Sequence, residues 1–411
     1  MPFPTSTGRA DMDSLLPSQH VPATIKRTTA DSPSVLADNE QSHGGPLKIR
    51  EASFEDHPQI AALESKYGLE AKNYEEWKHL WSNNPAYKEY RKSLPIGWVL
   101  EGEDRTIVGY LGNIPLFYEL GGQRLLASVA RAWVTDARYR SYSLLLLEQY
   151  FSQKVVDLFL NATVGPLASE SFAVFQSLPV PVGAWDRSAF WITNYQGFLE
   201  GWLASKAFAL AKPLSYVLSV GLFVKDSLAS RQIRQDENGV ELELCADVDG
   251  RFDIFWEALR KVNSHILMAV RNREALEWHF KYALRQNKAW IVTASKGSDL
   301  TAYSIFRRQD SPRFGLRRMR LVDFQTLDGN TAILAPMLAW AMRRCRREGI
   351  DMLESIGFGP DKENVISQIA PHERKLPSWL YFYKTRDQRL AEKLSDPNSW
   401  NPSQFDGDAS L

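Results

Sequence analysis

The chain has 411 residues, 44% hydrophobic and 12% aromatic, with 49 basic and 49 acidic side chains that cancel to a formal net charge of zero. That apolar content excludes a globally disordered chain, and the length exceeds what one ordinary core holds, so two or three domains are expected. The balanced charge argues against a general polyanion-binding surface, so no nucleic-acid partner is expected.

The two cysteines, Cys245 and Cys345, lie far apart without metal-ligand partners at zinc spacing. A disulfide framework and a structural zinc are therefore not expected, and a reducing, cytoplasmic location is. No signal-peptide core is recognised at the N-terminus. No stretch approaches the ~20 apolar residues that span a bilayer, so no stable membrane insertion is expected. The most apolar region, Leu203 to Val224, is interrupted by Lys206, Lys212, Pro213 and Gly221 and reads as buried helix and strand, with a membrane-surface segment as the alternative.

In chain order, residues 1–46 are rich in Pro, Ser, Thr, Asp and Gly and read as a disordered segment that cannot offset its ordering entropy. Order begins at Leu47 with a short strand. Ser53 stands at a helix N-cap, and a second helix covers Asn73 to Ser82. Gly97 to Glu101 and Thr106 to Ile114 read as a hairpin, followed by strands Leu116 to Leu120 and Arg124 to Thr135 around Gly121-Gly122. A helix from Ser143, a strand from Asp157 to Ala162 and a helix from Ala168 to Ser177 complete the first half, with Pro179 and Pro181 ending that helix. Residues 184–235 are aromatic-rich and give no clear element pattern, and Asp236 to Gly239 reads as a turn before a fresh start.

From Val240 the order repeats. Val240 to Cys245 reads as strand, and Arg251 to Val262 and Arg273 to Leu284 as helices. Ala289 to Ala294 and Thr301 to Arg307 form a second hairpin. Met319 to Thr326 reads as strand, Thr331 to Arg347 as helix, and Asp351 to Ile356 and Trp379 to Lys384 as strands. Single residues repeat as well. Glu76-Trp77 matches Glu277-Trp278, Trp98 and Tyr110 match Trp290 and Tyr303, and the spacing of seven from Asp136 to Ser143 recurs from Asp323 to Asn330. Together these matches indicate a duplicated α+β unit. The expected domains are 47–235, including the aromatic-rich junction, and 236–385, with 386–411 as a C-terminal tail.

The strand, two helices, three antiparallel strands, helix, strand, helix, strand order resembles the GNAT acyltransferase superfamily. In that family the fourth strand enters a turn of pattern Arg-Gly-X-Gly-X-Gly or Ala that opens the third helix. The matching stretch here is Thr135-Asp-Ala-Arg-Tyr-Arg-Ser-Tyr-Ser-Leu-Leu-Leu-Leu147. The resemblance covers both halves, most of residues 47–385, and implies two tandem domains, each a mixed, mostly antiparallel sheet flanked by helices. It also implies acetyl-CoA or another acyl-CoA as co-substrate. The residues implied to bind it are Trp133, Val134, Arg138, Arg140, Ser141, Tyr142, Ser143, Leu144, Leu145 and Asn161. Ser141, Ser143 and Leu145 depart from the family's small residues, and Phe175 stands where the family often has a tyrosine that protonates the departing thiolate. In the second half the corresponding turn, Asp323 to Thr331, has Gly329 but no arginine, and Asp328 places negative charge near any incoming phosphate.

Acyl transfer to an amine needs a polarised thioester carbonyl, a base for the amine and a fixed approach of the two reactants. Backbone around Trp133 and Val134 is suited to the first. Glu119, Asp136, Asp323 and Glu354 are the candidate bases, each also readable as an ordinary salt-bridged or capping carboxylate. Arg343, Arg344, Arg346 and Arg347 read as a solvated helix face or an anion contact. The aromatics Trp185, Phe190, Trp191, Tyr195, Phe198 and Trp202 read as packing between halves or as a ligand wall. The expected activity is N-acyl transfer to a small amine or amino-sugar acceptor. The alternatives are a catalytically degenerate GNAT pair used for binding or scaffolding, and a Fem-like aminoacyl transferase.

Overall fold

The computed structural model describes residues 47–411 apart from 184, 206–210, 230–240, 312–313 and 377–379. The expected disordered segment 1–46 and the expected turn at 236–239 lie outside the described residues. The described chain forms two compact units, a smaller one of residues 47–116 and 126–159 and a larger one of 117–125 and 160–411.

The smaller unit opens with β1 (Lys48–Glu51), α1 (His57–Lys66), α2 (Tyr74–Ser82), α3 (Pro85–Tyr90) and β2 (Gly97–Glu101). It continues into β3 (Ile107–Leu120), β4 (Gln123–Thr135), α4 (Ser143–Ser152) and β5 (Leu158–Val164), with β3, β4 and β5 each running past its sequence limits. Its strands lie in the order β1-β2-β3-β4-β5. Asn73 and Asn84 cap α2 and α3 by accepting from the backbone N–H groups of Glu76 and Tyr87, the expected use of a short amide at a helix start. The strands expected on either side of Pro115 are one 14-residue strand, β3. Pro115 lacks an N–H, and its carbonyl accepts from Asn84 Nδ2 at 2.8 Å, so the proline interrupts the ladder without ending the strand.

The larger unit contains α5 (Pro166–Val174), β6 (Leu178–Pro179), β7 (Arg187–Ile192), α6 (Tyr195–Ser205), α7 (Ala211–Ala229), β8 (Glu241–Cys245), α8 (Arg251–Val262), β9 (Met268–Ala269) and α9 (Arg273–Arg285). After these come β10 (Ala289–Lys296), β11 (Asp299–Arg308), β12 (Arg318–Thr326), α10 (Leu334–Arg347), β13 (Met352–Ile356), α11 (Pro360–Ile369), β14 (His372–Lys375), β15 (Leu380–Thr385) and α12 (Gln388–Leu394). Its main sheet has the order β14-β7-β13-β12-β11-β10-β8, antiparallel except where β12 and β13 run parallel. One face packs on α10 and α11 through Trp290, Phe306, Leu321, Leu338, Ala341 and Leu353. Each large apolar side chain buried this way contributes roughly 2 kcal/mol.

Two strands exchange places relative to the sequence order. β7, from the stretch that gave no clear pattern, enters the main sheet between β13 and β14. β15, expected to follow the second half's own strands, instead lies between β5 and β6. The alternating apolar residues Ala189, Trp191 and Phe190, Ile192 of β7 are buried on both faces, which suits an interior strand rather than a linker.

The repeated residues are structurally matched in part. Trp77 on α2 and Trp278 on α9 are both buried, and Tyr110 on β3 and Tyr303 on β11 are fully enclosed. The match of Asp136 to Asp323 does not hold. Asp136 follows the end of β4 and caps the next turn, whereas Asp323 lies three residues inside the end of β12 and is fully buried. The region from Leu203 to Val224 also departs from expectation. Its described part is helical, and Tyr216, Val220, Phe223 and Val224 of α7 are exposed.

Candidate functional site

In the smaller unit β4 loses regularity at Ala132, whose φ of 55° is left-handed for a residue with a Cβ. Such a conformation costs of order 1–3 kcal/mol and persists only where the surroundings enforce it. Trp133 Nε1 then donates to the Ser143 carbonyl at 3.3 Å, tying the strand to the start of α4, while Val134 is buried. Between them residues Ala137–Tyr142 form a 3₁₀ helix, kinked at Tyr139.

Asp136 organises this turn. Its backbone N–H bonds Val108, its Oδ1 accepts from the Arg138 N–H at 3.2 Å, and its Oδ2 accepts from Lys66 Nζ at 2.5 Å. The bond to Lys66 holds the Asp136 carboxyl below its ordinary pKa. The Ala137 N–H donates to the Tyr67 hydroxyl at 2.8 Å, a second strut from the end of α1. Ser143 Oγ donates to the Arg140 carbonyl at 2.7 Å, and no side chain caps the first turn of α4. Arg138, Arg140, Ser141, Tyr142, Leu144 and Leu145 are exposed.

The rear of α4 is fixed. Leu146, Leu147, Tyr150 and Phe151 are buried. A buried network joins α4 to β3 and β4: Ser128 Oγ donates to Asn113 Oδ1, Asn113 Nδ2 donates to Gln153 Oε1, and Tyr150 OH donates to the Ser128 carbonyl. Fully satisfied networks of this kind hold one arrangement. The turn therefore presents two arginines and a helix start from a rigid base, an arrangement that can attract a phosphate-bearing ligand.

The other expected residues are placed in the larger unit. Asn161 on β5 is buried, and neither atom of its amide has a hydrogen-bond partner among the described residues. An unmet buried amide costs about 1–3 kcal/mol, so it marks a position able to receive a polar ligand. Next to it Ala162 accepts from Trp185 Nε1 and is covered by Gly407, where a Cβ would come within 2.9 Å of the alanine methyl. Phe175 lies at the end of α5, and its carbonyl accepts from Lys384 Nζ. Glu119, near the end of β3, pairs with Arg260 at 3.2 Å.

Asp323 and Glu354 occupy separate buried ion clusters. Parallel pairing of β12 and β13 stops at Leu321 and Ser355 although β12 continues to Thr326, so the strands part there. The chain's own segment 403–406 enters this parting. Ser403 Oγ donates to Asp323 at 2.9 Å, Gln404 Nε2 donates to the Ile356 carbonyl at 3.3 Å, and Asp406 pairs with Arg271. Arg271 Nε also donates to Asp323 at 2.9 Å, and Tyr303 and Gln325 donate to the same carboxylate. Burial opposes the Asp323 charge, but Arg271 more than offsets it and keeps the pKa below the ordinary value. Glu354 is likewise held well below the usual carboxylate range against its burial, by Arg374, Arg320 and Arg318. Arg318, buried beside Arg320, is pushed down to about 9.

The structure thus gathers Trp133 to Leu145 into one feature, with Asp136 at its base, and sets Glu119, Asp323 and Glu354 apart from it. Sequence reasoning missed Lys66 and Tyr67, which hold the turn, and Arg271, Ser403 and Asp406, which close the second parting. An arginine directly after the apolar run Leu267 to Val270 was the available signal for Arg271; nothing in the sequence marked Asp406. No group of histidine, cysteine or acidic side chains suited to a metal occurs among the described residues.

No protein-family model matches this sequence, and no curated protein matches it either. Solved structures do. A Saccharomyces cerevisiae N-myristoyltransferase with bound myristoyl-CoA superposes with a TM-score of 0.55 at 11% identity, over 86% of this chain and 83% of that one. A second structure of that enzyme, with myristoyl-CoA and inhibitors, gives 0.53 at 11% identity over 94% and 91%. The chain has the GNAT fold. It has the tandem form, α+β with mixed, mostly antiparallel sheets flanked by helices, which the residue order alone had indicated. No described helix is long and apolar enough to cross a membrane.

Proposed function

We propose that this GNAT-fold chain is an acyl-CoA-dependent N-acyltransferase whose co-substrate phosphates sit on the turn from Arg138 to Leu145. The supporting observation is the contrast between the two corresponding turns. In the smaller unit exposed Arg138 and Arg140 flank an uncapped helix start, and the nearby Asp136 carboxylate is neutralised by Lys66. In the larger unit the parting of β12 and β13 is filled by Ser403, Gln404 and Asp406. The resemblance in fold to a myristoyltransferase with bound myristoyl-CoA supports an acyl-CoA without selecting acetyl over longer chains.

An acyl-CoA supplies an activated carbonyl carbon: the amine nitrogen bonds to it, the carbon–sulfur bond breaks, and the thiolate leaves and takes up a proton. Trp133 and Val134 are the backbone positions assigned to polarising that carbonyl, next to the irregular Ala132. Of the four candidate bases, Asp136 is the one on this turn; its ion pair with Lys66 lowers its pKa, so it is a weaker base than a free carboxylate and acts as a base only when that pair opens. Glu119, Asp323 and Glu354 serve first as counterions to arginines. The acceptor in this reading is a small amine or amino sugar, and the two buried, unbridged thiols suit a cytoplasmic setting.

Calorimetric titration of the full chain with acetyl-CoA and with longer acyl-CoAs tests the reading. Arg138→Ala with Arg140→Ala should weaken binding by about tenfold or more, as expected for two charge-assisted contacts. Saturable binding that ignores both substitutions would remove the site from this turn. A second reading, a GNAT pair that binds without transferring, is favoured by Leu145, by the 3₁₀ helix where the family has an open glycine turn, and by Phe175. Coenzyme binding with no thiol release in the presence of amines would support it.

A further inference from the structure

We propose that Arg318, Arg320 and Arg374 form a binding site for a phosphate group within the larger unit, a role independent of the acyl-transfer reading. Strand register sets the three on one face of the main sheet. Arg320 on β12 stands opposite Glu354 on β13, Glu354 stands opposite Phe190 on β7, and Arg318 is two residues along β12. Arg374 on β14 stands opposite Ser188, two residues from Phe190. The intervening residues Trp191, Leu321 and Leu353 belong to the core on the other face, against α10 and α11. Three guanidiniums thus converge on the single Glu354 carboxylate. Arg320 Nε donates to Oε2 at 2.8 Å, Arg318 Nη1 stands 3.5 Å from the same oxygen, and Arg374 Nη2 donates to Oε1. Ser188 Oγ also donates to Oε1, at 2.7 Å, and lies 3.5 Å from Arg374 Nε. Two further bonds go to neutral acceptors: Arg318 Nε donates to the Gln309 carbonyl at 2.9 Å, and Arg320 Nη1 to Gln309 Oε1 at 2.7 Å.

Charge selects the ligand. Among the described residues the cluster sets three positive charges against one negative, an excess of two. Other buried guanidiniums are matched: Arg271 meets Asp323 and Asp406, and Arg131 meets Glu64. The remaining acids of this region are committed. Asp310 accepts from the Arg318 backbone N–H but pairs with Arg308, and Asp226 pairs with His372 and accepts from the Tyr195 hydroxyl. Holding guanidiniums away from water without a matching anion is costly. Burial, and then Arg320, push Arg318 down to about 9 although Glu354 opposes them. Access to the cluster is one-sided. The side chains of Arg318, Arg320 and Arg374 keep 7%, 6% and 11% of their surface exposed, whereas that of Glu354 keeps none. An entering ligand therefore meets donors and not the carboxylate. A doubly charged phosphate offsets the excess of two, and its oxygens accept from several guanidiniums at once. So narrow an exposure suits a free phosphate or the phosphate end of a slender molecule.

The test is calorimetric titration of the full chain with inorganic phosphate and with O-phosphoserine, in low-chloride buffer; the first probe reports a free ion and the second a carried phosphate. Both are run on the chain bearing Arg138→Ala and Arg140→Ala, which removes the turn proposed for acyl-CoA and keeps the two readings separate. One phosphate per chain should bind saturably from at least one probe. Adding Arg318→Met should weaken this by about tenfold or more, the loss of one charge-assisted contact. Thermal unfolding gives a second readout. Without phosphate the Arg318→Met chain should melt no lower than its parent, because it buries one unmatched charge fewer, and phosphate should raise the midpoint of the parent more. Arg374→Gln, at the most exposed of the three arginines, repeats the comparison where Arg318→Met does not fold. Failure of both probes to bind overturns the proposal. So does binding that ignores both arginine substitutions, or an Arg318→Met chain that is less stable than its parent without phosphate.

Discussion

Lys362, on the first turn of α11, is buried with its ammonium lacking a hydrogen-bond partner among the described residues. It stands 5.9 Å from the Phe324 ring and 5.8 Å from the Phe358 ring. Burial pushes its pKa from 10.5 down to about 8, against the pull of Asp323 and Asp406. The depressed value means that the unfolded chain binds the proton more tightly between those two pH values. Protonated Lys362 therefore weakens the fold below about pH 8, and this penalty is relieved as the pH rises towards 10.5. Lys362→Met should be more stable than the parent near neutrality by about 1–3 kcal/mol, since Arg271 still balances Asp323. Urea unfolding of both proteins across this pH range should show the gap closing upward. A variant less stable at neutral pH would show that the lysine is needed as a counterion.

At the scale of elements, the exchange of β7 and β15 links stretches that the sequence order separates. A chain cut at 235 leaves residues 47–235 without β15, the neighbour of β5 and β6, and leaves 236–411 without β7, the strand between β13 and β14. Each fragment then exposes unpaired strand edges in its sheet. Neither piece alone should give a cooperative melt by circular dichroism, and mixing the two should restore one; independent folding of either would contradict the exchange. Most individual elements were legible in the sequence because their signals are local. Asn73 marks a helix start, period-two patterns mark the hairpins, and the paired tryptophans on α2 and α9 mark the duplication, whereas the short α3 after Asn84 was not read. The exchange was not legible, because partner choice among strands is set by long-range packing rather than by neighbours in the chain. The outward apolar stripe of α7 was misread as burial for a related reason: composition records how apolar a segment is but not which face it covers.

Across the whole molecule, the two halves share a fold and differ in what stands at the equivalent turn. The candidate site in the smaller unit was visible in the sequence because its residues, Trp133 to Leu145, are contiguous and fall on one strand-turn-helix junction. The closure of the other parting was not, because it is assembled from Arg271, Asp323 and Asp406, with separations of 52 and 135 positions from the arginine. Fold class followed from the order of elements, but the state of each turn depended on contacts that no local pattern encodes. In the proposed function the turn after β4, and not the turn after β12, receives the acyl-CoA. Amide hydrogen exchange of the full chain, with and without saturating acyl-CoA, measures both turns in one experiment. Slowed exchange confined to residues 136–147, with 322–330 unchanged, is the result expected; protection of 322–330 alone, or of neither turn, would contradict the claim.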